Sequence, residues 1–97
     1  MKKQNIINIL HTSFLGAIGK DVRAISFDYT DDTIIIYAYL DREPTTEDYN
    51  IIDIAVTEVM ASSPNFIYQK INMENTIEPI GKLKVYAGWI FVRYEEN

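Results

Sequence analysis

The side chains able to do chemistry are few. His11 is the one histidine of the chain and there is no cysteine, so proton transfer near neutral pH has a single imidazole to work with. It stands at the border of an apolar helical stripe, where a partly buried histidine satisfied by a neighbour is the commoner arrangement than a catalyst. Ser13, Ser26, Ser62 and Ser63 lack the glycine-flanked turn that exposes a nucleophilic serine, and one histidine leaves no spare base to activate them. Asp28, Asp31 and Asp32 are carboxylates of the kind that hold calcium or magnesium. Their spacing lacks the glycine and the distal glutamate of an EF-hand loop, and turn formation accounts for them better. Fourteen acidic residues supply many carboxylate pairs, but no glycine-rich cleft or substrate-binding pattern accompanies them. Gly16 and Gly19 end a helix and lack the spacing of a phosphate-binding loop. The residues therefore point to binding, with no catalytic residue, no metal and no cofactor.

The elements that would position a binding surface follow from periodicity. Ile6, Ile7, Leu10, Phe14, Ala17 and Ile18 fall on one arc at 100° per residue, which predicts a first helix stopped by Gly19. Arg23 to Tyr29 and Ile34 to Leu40 are β-rich runs joined by Thr30-Asp31-Asp32-Thr33, a polar link suited to a hairpin. With Asp31 and Asp32 at the tip, Tyr29 faces Ile34, Phe27 faces Ile36 and Ile25 faces Ala38, giving one apolar side. The other side carries Asp28, Ile35, Tyr37 and Tyr39. A second helix begins after Pro44 with Thr45 as N-cap and ends at Ser62-Ser63-Pro64. Its core face is Ile52, Ala55, Val56 and Val59, and Ile54 falls on the polar side. Two further strands are expected over Phe66 to Met73 and Leu83 to Tyr94. The long last one should carry a bulge near Gly88. The expected fold is one α+β domain over residues 1–97, of order αββαββ, with a four-stranded antiparallel sheet and both helices on one face.

Composition narrows the partners. The 97 residues are 47% hydrophobic, enough for a core without disulfides or zinc, and carry a net charge of −5. An acidic surface repels phosphate backbones and anionic lipid, so nucleic acid and membrane are not the expected partners, and a basic protein is. Met1-Lys2-Lys3 resembles the charged start of a signal peptide. Asn5, Asn8, His11, Thr12 and Ser13 break the apolar run that should follow, and the absence of cysteine fits a cytoplasmic location.

Six of the seven tyrosines fall on expected strands. Alternation places Tyr37, Tyr39, Tyr68, Tyr86 and Tyr94 on the face that no helix covers, with Ile67, Ile71, Met73, Leu83, Val85 and Ala87 on the other. Tyrosine gives rigid contact area at low entropic cost and is enriched in interfaces. Base stacking is disfavoured because no basic groove accompanies the rings. Asp28, Asp31 and Asp32 crowd one end of the second strand and Asp41, Glu43, Glu47 and Asp48 the other, so Tyr37 and Tyr39 run between two acidic rims. A charged border speeds association and an aromatic centre prolongs residence.

The stretches Thr33-Ile34-Ile35-Ile36-Tyr37-Ala38-Tyr39 and Gly88-Trp89-Ile90-Phe91-Val92-Arg93-Tyr94, in a small acidic chain without cysteine, resemble bacterial immunity proteins. The likeness is to those of contact-dependent growth inhibition and related polymorphic toxin systems. The resemblance implies a non-enzymatic inhibitor that binds a cognate toxin, often a basic nuclease. Tyr37 and Tyr39 would then anchor in the partner, and Tyr68 and Tyr86 would extend the contact. Asp28, Asp31, Asp32, Asp41 and Glu43 would mimic phosphates against a basic cleft. The alternative is a secretion chaperone or assembly adaptor for a protein client, and an exposed sheet also leaves room for a homodimer.

Overall fold

The computed structural model describes residues 3–95, so the charged start at Met1 and Lys2 lies outside the described residues. The elements are α1 (Lys3–Ser13), β1 (Val22–Tyr29), β2 (Thr33–Leu40), α2 (Thr46–Ser62), β3 (Tyr68–Asn75), a 3-10 turn (Ile80–Lys82) and β4 (Gly88–Val92). The order αββαββ is the expected one. The α1 stripe buries Ile6, Leu10, Phe14 and Ala17, although regular α-helix stops at Ser13 and turns carry the chain on. His11 is exposed, not partly buried.

The first hairpin forms in the expected register. Tyr29 pairs with Ile34, Phe27 with Ile36 and Ile25 with Ala38. Ile25, Phe27, Ile34 and Ile36 lie at 1% exposure or less and meet Leu10 and Phe14 of the α1 segment and Ile52, Val56 and Val59 of α2 in one core. Burial of these large side chains contributes about 1.5–3 kcal/mol each, so the helix-facing side of the hairpin anchors the fold.

The sequence around α2 encodes its start. Thr45 Oγ1 accepts the N–H of Asp48 at 3.2 Å while the Asp48 carboxylate accepts the N–H of Thr45 at 2.8 Å, a reciprocal capping box. The helix buries Ile52, Ala55, Val56 and Val59 and leaves Ile54 exposed. Replacing Thr45 by alanine should cost about 1 kcal/mol, read as a lower urea midpoint at unchanged slope.

Two expectations about the sheet are corrected. It is mixed, not antiparallel: the strand order is β3-β2-β1-β4, and β3 runs parallel to β2. The reason is length. A helix of 17 residues spans about 25 Å, and a strand of 8 residues about 26 Å. The helix α2 therefore returns the chain to the level where β2 began, and a crossover of this size joins parallel strands. Strand β4 is also shorter than the expected Leu83 to Tyr94, beginning at Gly88. A register shift falls between Ile25 and Ser26 of β1, opposite this strand. Gly88 lies against the buried Phe27, and a Cβ there would meet Phe27 Cε1 at 3.0 Å.

The short β4 follows from topology. β3 and β4 lie at opposite edges of the sheet, so the connection over residues 76–87 must cross β2 and β1. With the helices on one face, it crosses on the other. Arg23 on β1 holds its start by donating to the carbonyls of Thr76 and Glu78, both at 2.7 Å. Tyr39 Oη donates to the Lys84 carbonyl at 2.7 Å, and Ser26 Oγ accepts the N–H of Tyr86 at 3.1 Å. Leu83 and Val85, expected to turn toward the helices, lie instead on this crossing segment, where Val85 is 45% exposed.

Candidate functional site

The pairing register lays out the helix-free face row by row. Thr33 stands beside Tyr68; Asp28, Ile35 and Lys70 form the next row; Trp89, Ser26, Tyr37 and Asn72 the third; and Val92, Ala24, Tyr39 and Glu74 the fourth. The crossing segment covers the last two rows near β1, so the face is open chiefly at its hairpin end.

The nine residues expected to bind a partner are divided by this arrangement. Asp31 and Asp32 are exposed at the hairpin tip. Asp32 Oδ1 accepts the hydroxyls of Thr30 and Thr33, and its carbonyl accepts the N–H groups of Ile67 and Tyr68, which fixes the start of β3 against the turn. Asn65 Nδ2 donates to the Asp31 carbonyl. Asp28 is half-buried and accepts the N–H of Tyr29. Tyr68, 59% exposed, flanks this acidic tip, as does Ile67, 61% exposed. The inward position expected for Ile67 fails because β3 begins at Tyr68, two residues later than the expected Phe66, so Ile67 precedes the strand. Its neighbour Phe66 plugs the core instead.

Tyr37 and Tyr86 come together, as parallel rings with centroids 3.6 Å apart. Lys84 Nζ lies 4.7 Å above the Tyr86 ring. Burial, then the neighbouring Tyr86 and Asp28, raises the Tyr37 phenol above its usual range, so it stays neutral. Tyr39 is not on the open surface. At 6% exposure it packs under the crossing segment, edge-on to Trp89, with its phenol raised by burial, then by Tyr86 and Glu74.

Asp41 and Glu43 sit at the opposite end, away from the tip. There the arginines gather. Arg23 pairs with Glu95 at 2.8 Å, Arg93 with Asp41 and Glu95 at 2.9 Å, and Arg42 with Asp21 and Asp48. Glu43 accepts Asn75 Nδ2. Hydrogen bonds from Arg23 and then Arg93 hold the Glu95 carboxyl down at about 2, and Arg42 holds Asp48 below the usual carboxylate range. Hydrogen bonds to Asp41 and Glu95 raise Arg93 in turn. Among the described residues every ion pair belongs to this end, and none reaches Asp28, Asp31 or Asp32. The buried Arg23 network escaped sequence reading, although an arginine inside an apolar strand run is its signal.

Among the described residues no group of three histidine, cysteine or acidic side chains is placed to hold a metal ion. Ser26 Oγ is occupied by the Gly88 carbonyl and the Tyr86 N–H, and His11 belongs to the helix layer. Among the described residues no helix is long and apolar enough to cross a membrane.

The mixed sheet of this small α+β domain displays aromatic and acidic side chains at one end, the features of a protein-binding domain. The chain belongs to the MafI2 immunity protein family, whose family model matches residues 3–95. Membership carries toxin-neutralising immunity as the function and a toxin protein as the partner, and immunity proteins are generally not enzymes. No curated protein matches the chain closely enough to count as a relative.

Proposed function

We propose that the chain neutralises its toxin by setting the hairpin end of the open sheet face against a basic surface, most simply the substrate cleft of a nuclease. The observation that carries this reading is the segregation of charge. The arginines neutralise acids at one end of the sheet, and among the described residues no ion pair reaches Asp28, Asp31 or Asp32 at the other. Two carboxylates in the turn and a third on the adjoining strand gather negative charge at this end, and a cleft built to bind phosphates attracts them for that reason. Tyr68, Ile67 and the Tyr37–Tyr86 stack adjoin the acidic tip and supply apolar contact area. Asp41, Glu43 and Tyr39 are left out of this contact. The first two are engaged within the molecule and the third is enclosed.

The test is charge reversal that spares the turn. In Asp31→Lys combined with Asp32→Asn, the amide oxygen still accepts from Thr30 and Thr33 while the tip changes by three charges. Association with the toxin domain should slow about tenfold or more at low salt, and its salt dependence should flatten. An association rate and a salt dependence equal to those of the parent would overturn the reading.

A further inference from the structure

We propose that the chain also pairs with a second copy of itself along the outer edge of β3, forming one continuous sheet about a two-fold axis at Asn72. This goes beyond toxin binding and does not depend on it. β3 is an edge strand. The N–H groups of Tyr68 and Thr76 donate to the carbonyls of Asp32 and Leu40, so the even-numbered residues turn their backbone groups toward β2. Alternation then turns the N–H and C=O of Gln69, Ile71, Met73 and Asn75 outward. The strand keeps unbroken register with β2 over its 8 residues and contains no proline. Bulges and prolines are the usual guards of an edge; the one guard here is Lys70.

The side chains select both partner and register. In a two-fold antiparallel pair that extends a sheet, facing residues share a face, so their numbers sum to an even value. With the axis at Asn72, Lys70 faces Glu74 of the second copy, Ile71 faces Met73, Gln69 faces Asn75 and Asn72 faces itself. Charge meets opposite charge, apolar meets apolar and amide meets amide, each twice by symmetry. Moving the axis to Ile71 sets Gln69 against Met73. Moving it to Met73 sets Ile71 against Asn75, and moving it to Lys70 sets the lysines against each other. The outward backbone groups also fit, because Ile71 with Met73 and Gln69 with Asn75 become the hydrogen-bonded pairs. Ile71 and Met73 already pack at the margin of the core, so pairing extends the apolar layer under both α2 helices. Both acidic hairpin tips remain open.

Sedimentation equilibrium of the chain alone, without toxin, tests this. The parent should reach twice the 11.2 kDa of one chain as concentration rises. Lys70→Glu or Glu74→Lys places like charges opposite each other twice per dimer and should weaken dimerisation about tenfold. The combined Lys70→Glu and Glu74→Lys exchange should restore it. Lys70 and Glu74 are both exposed, so at concentrations low enough for the parent to be monomeric the variants should keep its urea midpoint, which separates lost pairing from lost folding. A parent that stays at one chain mass up to about 1 mM overturns the proposal. So does a dimer indifferent to the single charge changes, or one that the exchange fails to restore.

Discussion

Replacing Arg23 by methionine should lower stability by about 3 kcal/mol or more, the largest loss expected from one polar side chain in this molecule. The guanidinium is buried, with 5% of the residue exposed, and makes four hydrogen bonds. Two go to the Glu95 carboxylate and one each to the carbonyls of Thr76 and Glu78. Methionine matches the stem but leaves these acceptors without their donor, and an uncompensated buried group costs more than the pair was worth. Arg93 still holds Glu95 through two bonds, which keeps the loss from the upper end of the range. Small domains have about 5–15 kcal/mol in total, so the variant should stay folded with a clearly lower urea midpoint.

The same contact gives the sheet an acid limb. In the folded chain the Glu95 carboxyl titrates at about 2 instead of its ordinary 4.5, chiefly because Arg23 bonds to its charged form. A depressed carboxylate stabilises the fold above its unfolded value and loses that contribution as pH falls through the folded one. Parental stability should therefore drop between about pH 4.5 and 2, and Arg23→Met should flatten that limb. Asp48, lowered by Arg42 and Thr45, adds to the same slope. Urea midpoints of parent and variant across this window measure it. Arg23 also fixes the start of the segment that carries Tyr86, so its loss should loosen the Tyr37–Tyr86 stack and weaken toxin binding at neutral pH.

The hairpin and the second helix were legible because each is specified by local chemistry. The polar tetrad Thr30–Thr33 sets the turn, alternation sets the register, and Thr45 with Asp48 sets the helix start. The direction of β3 was not legible from its own residues, since Tyr68–Asn75 alternates equally well in either sense. The usable signal lay outside it, in a helix long enough to retrace a strand. Leu83 to Ala87 misled for a related reason. It alternates like a strand, but the chain there is crossing the sheet, held by the Ser26 hydroxyl and the Tyr39 phenol. The same crossing divided the candidate site. Tyr37 and Tyr39 share a face, yet only Tyr37 lies toward the open end. Asp41 and Glu43 form a rim in sequence, but the side chains of Arg93 and Asn75, far along the chain, occupy them.

That division sets the second large effect. Tyr37→Ala should weaken toxin binding by about 2 kcal/mol, roughly thirtyfold, mainly through faster dissociation, as expected for an aromatic at the centre of a contact. The loss includes the ring itself and the order of Tyr86, whose face it supports at 3.6 Å. Stacked aromatic pairs contribute about 0.5–1.5 kcal/mol beyond area, so part of the loss should also appear as reduced stability. Tyr39→Phe gives the opposite signature. It removes a buried hydroxyl from the Lys84 carbonyl and should cost about 1 kcal/mol of stability with toxin affinity unchanged, because that ring is enclosed. Measuring affinity and urea midpoint on both variants separates contact from support. A toxin affinity unaffected by Tyr37→Ala would move the contact to the helix layer, where Leu15 and Ile54 are exposed. The acidic hairpin would then serve only to steer the encounter.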